Sequence, residues 1–109
     1  MKKLLILMEH ELAAFQQESS LSYARRELDA MVSYYNTDVA ANQIIYGKPD
    51  VVVYCSTLNA EKAWSIETLK WVKDRARLVL WCTESSAPSY AKLLESYRKA
   101  GCFDFRVGT

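Results

Sequence analysis

The chain has 109 residues, half of them apolar and a quarter charged, with a net charge of +1. That is the balance of one folded domain with a single core, too short for separate substrate and cofactor domains. Its near-neutral charge gives no pointer to nucleic acid, and no apolar run reaches the roughly 18 residues of a membrane span.

Leu4-Leu5-Ile6-Leu7-Met8 opens the chain as a continuous apolar run of strand length. Lys2 and Lys3 before it imitate a secretory leader, but Glu9, His10 and Glu11 cut the run short. Leu12 and Phe15, then Leu21, Ala24, Leu28 and Met31, fall on one face at helical spacing. A weaker strand signal covers residues 31–35. Residues 39–46 predict a short helix, with Thr37 or Asp38 as its cap and Gly47 as its stop.

Val51-Val52-Val53-Tyr54-Cys55 is the second continuous run, rich in β-branched residues. Asn59 is placed to cap a helix carrying Ala63, Ile66, Leu69 and Val72, on which Trp64 and Trp71, seven apart, share a face. Leu78-Val79-Leu80-Trp81-Cys82 is the third run. Pro88 suits a first helical position ahead of Tyr90, Leu93, Leu94 and Tyr97, and Ala100-Gly101 closes that helix. Residues 103–107 predict a last, outer strand.

Runs apolar at every position suit strands buried on both faces, and their alternation with helices predicts an α/β protein with a parallel sheet. Only three glycines and two prolines argue against a hairpin-rich barrel or sandwich. Three cysteines without paired spacing suit reduced thiols in a cytoplasmic protein. Lys70, Lys73, Arg75 and Arg77 read as a solvated helix end rather than a nucleic-acid surface.

Lys48-Pro49-Asp50-Val51-Val52-Val53-Tyr54-Cys55 resembles the segment entering the third strand of bacterial response-regulator receiver domains. Ala100-Gly101-Cys102-Phe103-Asp104-Phe105-Arg106-Val107-Gly108-Thr109 is similar to that family's closing strand. The order and spacing of elements match over the whole chain as a single domain. The resemblance implies a three-layer, five-stranded CheY-like sheet in the order 2-1-3-4-5, with the final helix short or absent.

In that family two carboxylates after the first strand and an aspartate ending the third hold magnesium. A lysine after the fifth strand and a hydroxyl after the fourth hold the phosphoryl oxygens. Here the acidic positions are Met8 and Glu9, the acceptor is Cys55 and the lysine position is Gly108. Only Thr83 and Phe105, the two switch positions, keep the family's residue type. A thioether, a thiol and one carboxylate are a poor site for a cation that demands hard oxygen ligands. A one-residue slip would bring Glu9 and Glu11 to the site, but Asp50 opens its strand at the opposite end and cannot replace the acceptor. The resemblance thus implies a degenerate, pseudo-receiver module that does not take up phosphate, binds no metal or cofactor and is not an enzyme.

Such a module works through a protein partner or a second copy. The family's contact surface, its fourth helix and fifth strand, would here present Tyr90, Leu94, Tyr97, Arg98, Phe105 and Arg106. The alternative is a thiol-based enzyme or redox sensor using Cys55 beside Glu9 and His10. Convergence of Cys55, Cys82 and His10 on a metal has no paired-cysteine spacing behind it. A flavodoxin-like binding domain ranks lower, because no loop supplies a phosphate cradle. Receivers continue into a fifth helix, whereas this sequence stops at Thr109. The expectation is therefore a longer regulator, a second copy or another protein covering the sheet near Leu4, Ile6 and the last strand.

Overall fold

Side chains alternate between the two faces of a sheet, so a strand apolar at every position needs cover on both. The computed structural model describes residues 3–8, 29–34, 37–55, 63–82 and 88–108. Its strands are β1 (Lys3–Met8), β2 (Asp29–Tyr34), β3 (Val51–Cys55), β4 (Arg77–Cys82) and β5 (Phe105–Gly108). All pair in parallel in the order β2-β1-β3-β4-β5, the order the family resemblance implies. The described helices are α1 (Thr37–Gly47), α2 (Ile66–Lys73) and α3 (Pro88–Ala100). None is long and apolar enough to cross a membrane.

The connections β2–β3, β3–β4 and β4–β5 all step across the sheet in one direction. Right-handed crossovers therefore put their three helices on one side of it. Packing agrees: Leu5, Leu7, Val52, Tyr54, Leu78 and Leu80 form one core with Ala40 and Ile44 of α1, Leu69 and Val72 of α2, and Tyr97 of α3. The opposite face carries a smaller cluster of Ile6, Met8 and Cys55, against which Ala30, Val32, Val53 and Trp81 are partly buried. Strand pairing makes Val32, Ile6, Val53, Val79 and Phe105 one row across that second face.

Two aspartates seal the amino ends of the strands in the same way. Asp50 Oδ2 accepts the Lys3 N–H at 2.8 Å while the Asp50 N–H donates to the Lys3 carbonyl at 2.9 Å. Asp104 Oδ2 accepts the Leu78 N–H at 2.9 Å, and its own N–H donates to the Leu78 carbonyl at 2.8 Å. Each side chain thus satisfies a strand N–H that the ladder leaves over.

Several boundaries differ from the sequence expectation. Met31 lies in β2, not on a helix face; the earlier turns of that expected helix, from Leu12 to Leu28, lie outside the described residues. Helix α1 starts at Thr37, so Asp38 sits in its first turn. Gly47 is its last residue, and the left-handed position falls on Lys48 (φ 47°), whose N–H donates to the Ile44 carbonyl at 3.2 Å.

The cap of α2 is Ser65, whose Oγ accepts the Thr68 N–H at 3.2 Å. Ala63 and Trp64 therefore precede the helix, and Trp64 and Trp71 do not share one; Asn59 lies outside the described residues. Trp64 and Leu69 both join the core from either side of the cap, at the positions of a hydrophobic staple. The closing Gly101 behaves as expected. It takes φ 65° and donates to the Arg98 carbonyl, while the Cys102 N–H reaches the Tyr97 carbonyl, both at 3.2 Å, a Schellman ending.

Trp64 is held from both sides by buried tyrosines. The Tyr54 hydroxyl accepts the Trp64 N–H at 2.9 Å, and the Tyr97 hydroxyl donates to the Trp64 carbonyl at 2.7 Å. Tyr97 is only 2% exposed, with its ring edge-on to Tyr54 and to Phe103. The expectation that it faces a partner is corrected here. Its ring packs in the core between α3 and the segment just before α2, and its hydroxyl finds the Trp64 carbonyl there instead of water.

Candidate functional site

Ligand chemistry in a parallel sheet gathers at the carboxyl ends of the strands. Here those ends are Met8 of β1, Cys55 of β3, Cys82 of β4 and Gly108 of β5. The structure brings Met8 and Cys55 together with Ile6 in one buried cluster on the sheet face opposite the three helices. Cys55, 8% exposed, ends the central strand, and desolvation pushes its thiol up to about 12. Gly108 pairs with Cys82 at the far edge. Glu9, His10 and Thr83 lie outside the described residues.

The chemistry of the described part follows from these groups. A thioether, a thiol held neutral and a branched alkane offer no hard oxygen to a divalent cation. Among the described residues no three His, Cys, Asp or Glu side chains gather as a metal site. A thiol pushed upward is also the reverse of an activated nucleophile, which needs its thiolate near neutral pH. Asp50 lies at the amino end, bonded to Lys3, a strand's length from Cys55.

The residues expected on the contact surface separate into three groups. Leu94 is half-buried against the core on α3, and Arg98 is exposed on the same helix, paired with Glu95. That ion pair raises the Arg98 pKa and lowers that of Glu95. Tyr97 is interior. Arg106 is exposed and pairs with Leu80, on the helix side of the sheet, whereas Phe105 pairs with Val79 on the other side. The side chain of Tyr90 lies outside the described set.

Phe105 and Val107 are 56% and 54% exposed although both are large and apolar. They extend a half-buried apolar surface that includes Val53, Val79 and Trp81. Val107 was absent from the sequence expectation. The alternating pattern of residues 105–107 carried the signal, because Phe105 and Val107 must share a face across Arg106.

No family model matches the sequence, and no curated protein matches it. Solved structures do. RcsB from Salmonella enterica serovar Typhimurium, bound to promoter rprA in the presence of phosphomimetic BeF3-, superposes with a TM-score of 0.67 at 12% identity. The match covers 97% of this chain but 58% of the RcsB chain, so the protein spans little more than half of that relative. A CheY-like receiver domain protein from Methanospirillum hungatei JF-1 gives 0.62 at 12% identity, covering 98% of this chain and 80% of the other. The pseudo-receiver domain of the CikA protein gives 0.60 at 14% identity, covering 100% and 85%. Identities this low speak for architecture alone. The sheet order, the one-sided trio of helices and these superpositions together give the chain the CheY-like receiver fold.

Proposed function

We infer that the protein is a receiver-like signalling module that has left phosphoryl transfer behind and acts through protein contact at its last strand. The observation that carries this reading is the exposed apolar pair Phe105 and Val107 on β5. They border half-buried Val53, Val79 and Trp81 on the sheet face away from α1, α2 and α3. Water over such a continuous apolar strip is unfavourable, at about 25 cal/mol for each Å² left uncovered. The buried thiol at the acceptor position supports the other half of the reading, since a thiol cannot form the family's acyl phosphate.

Self-association is the form of contact this surface supports most simply, because two copies of one apolar strip are complementary under a two-fold axis. Sedimentation equilibrium of the chain at increasing concentration should give a mass approaching twice the monomer's. Phe105→Asp should return it to the monomer without unfolding, since the site is open to solvent. A monomer at every concentration, or a dimer untouched by Phe105→Asp, would remove β5 as the self-contact surface.

A further inference from the structure

Beneath α1, beside the amino-terminal halves of β1 and β2, lies a cavity of about 110 Å³. Leu5 and Met31 are register partners on these strands, so their side chains stand on one side of the sheet. Leu5 belongs to the core shared with α1, which makes this the helix side. Gln43 and Gly47, one turn apart on α1, line the cavity opposite them, and Leu4 and buried Pro49 complete the wall. At Gly47 the wall is open, since a Cβ there would meet nothing within 4 Å.

Gln43 is the polar group in this wall whose bonding is incomplete. Its Nε2 donates to the Met31 thioether at 3.5 Å, while its Oε1 is buried and has no hydrogen-bond partner. The reverse orientation of the amide would set two acceptors, oxygen and sulfur, against each other. The oxygen is therefore the atom left over, and a buried acceptor without a donor is unfavourable. Water is a poor remedy. It needs roughly two to four polar partners, and the side chains of Leu4, Leu5 and Pro49 supply none.

The same walls set the shape of the missing donor. A thioether makes favourable contacts with aromatic rings, and the leucines and the proline favour an apolar body. A closed cavity of about 150 Å³ holds a benzene ring, so this smaller one suits a five-membered ring.

We propose that this cavity binds a small aromatic heterocycle of the azole type. Its ring N–H donates to Gln43 Oε1 while the ring itself packs against Met31 Sδ and Leu5. The site lies on the opposite face of the sheet from the β5 surface and the Met8–Cys55 cluster, and it does not depend on either.

The test is a titration of the full chain followed by the methionine methyl signals in NMR. The probe is pyrrole, and its control is furan, a ring of the same shape without an N–H. Pyrrole is expected to shift the Met31 methyl signal and to leave that of Met8, in the cluster on the far face, in place. It should bind about 5-fold more tightly than furan, the share of one hydrogen bond to a buried acceptor. Gln43→Leu keeps an apolar side chain and removes the amide, so pyrrole and furan should bind that variant equally. Equal binding of the two rings by the unaltered chain would leave Oε1 no role in recognition and overturns the proposal. So does a pyrrole preference that survives in Gln43→Leu, or a Met31 signal unmoved at tens of millimolar pyrrole.

Discussion

Tyr97→Ala is expected to cost about 4 kcal/mol of folding stability, the range for emptying a buried aromatic site. Small domains hold about 5–15 kcal/mol in all, so the variant should be close to unfolding at physiological temperature. The ring lies within the core on α3, edge-on to Tyr54 and Phe103. Tyr97→Phe separates packing from polarity. It keeps the ring and removes only the hydroxyl that donates to the Trp64 carbonyl at 2.7 Å.

Losing a buried donor of that kind costs about 1–3 kcal/mol. Tyr54→Phe removes the acceptor of the Trp64 N–H, so the two substitutions act on one residue and should not add. Urea unfolding of the two single variants and the double variant measures this coupling. Wild-type stability in Tyr97→Phe would mean that the hydroxyl contributes nothing. Burial, then the neighbouring Tyr54, push the Tyr97 hydroxyl pKa upward. A group raised in this way favours the folded state while neutral, and its contribution fades as alkaline pH ionises tyrosine in the unfolded chain.

The Cys55 thiol is expected to be nearly inert in the folded protein. Its pKa rises from 9.0 to about 12 through desolvation. At neutral pH the thiolate fraction is then on the order of a thousandfold smaller than in the unfolded chain. Alkylation by iodoacetamide at pH 7.5, read residue by residue by mass spectrometry, should be slow in native buffer and fast in urea. The sign of the accompanying stability change is fixed. The unfolded thiol ionises near 9 and the folded one only near 12, so stability is intact below pH 9 and is lost between 9 and 12. Native Cys55 reacting faster than Cys102 would restore the thiol-enzyme reading.

Why some of this was legible and some not comes down to the range of the forces involved. β3 is the same five residues in sequence and structure, because Val51 to Val53 are β-branched and apolar on both faces. The sheet order followed once the strand–helix alternation was joined to the family resemblance. The start of α2 is ambiguous in the sequence because Asn59 and Ser65 are both good caps. The choice of Ser65 follows from Trp64, whose backbone is fixed by two tyrosines distant in sequence. The surface expectation for Tyr97 fails for the same reason. A tyrosine at helical spacing is equally suited to snorkel or to bury, and only the position of the Trp64 carbonyl decides between them.

At the candidate site, residue identity carried most of the information. Met8 and Cys55 at the ends of neighbouring strands follow from register, and the structure adds that they touch one apolar cluster. The cavity beneath α1 leaves no local signal in the sequence because its parts are scattered. Leu5, Met31, Gln43 and Pro49 belong to two strands, a helix and a connection that only the fold brings together. The division of the β5 surface was readable in principle from alternation, yet Phe105 and Arg106 were placed on one face.

The central claim is a receiver fold whose pocket no longer takes a phosphoryl group. Its most direct test is intact-mass spectrometry of the native chain after incubation with acetyl phosphate and magnesium, beside an active receiver domain as positive control. The expected result is an unchanged mass for this protein while the control gains a phosphoryl group. A phosphoryl adduct mapped to the ends of β1, β3 or β4, and released by hydroxylamine, would contradict it.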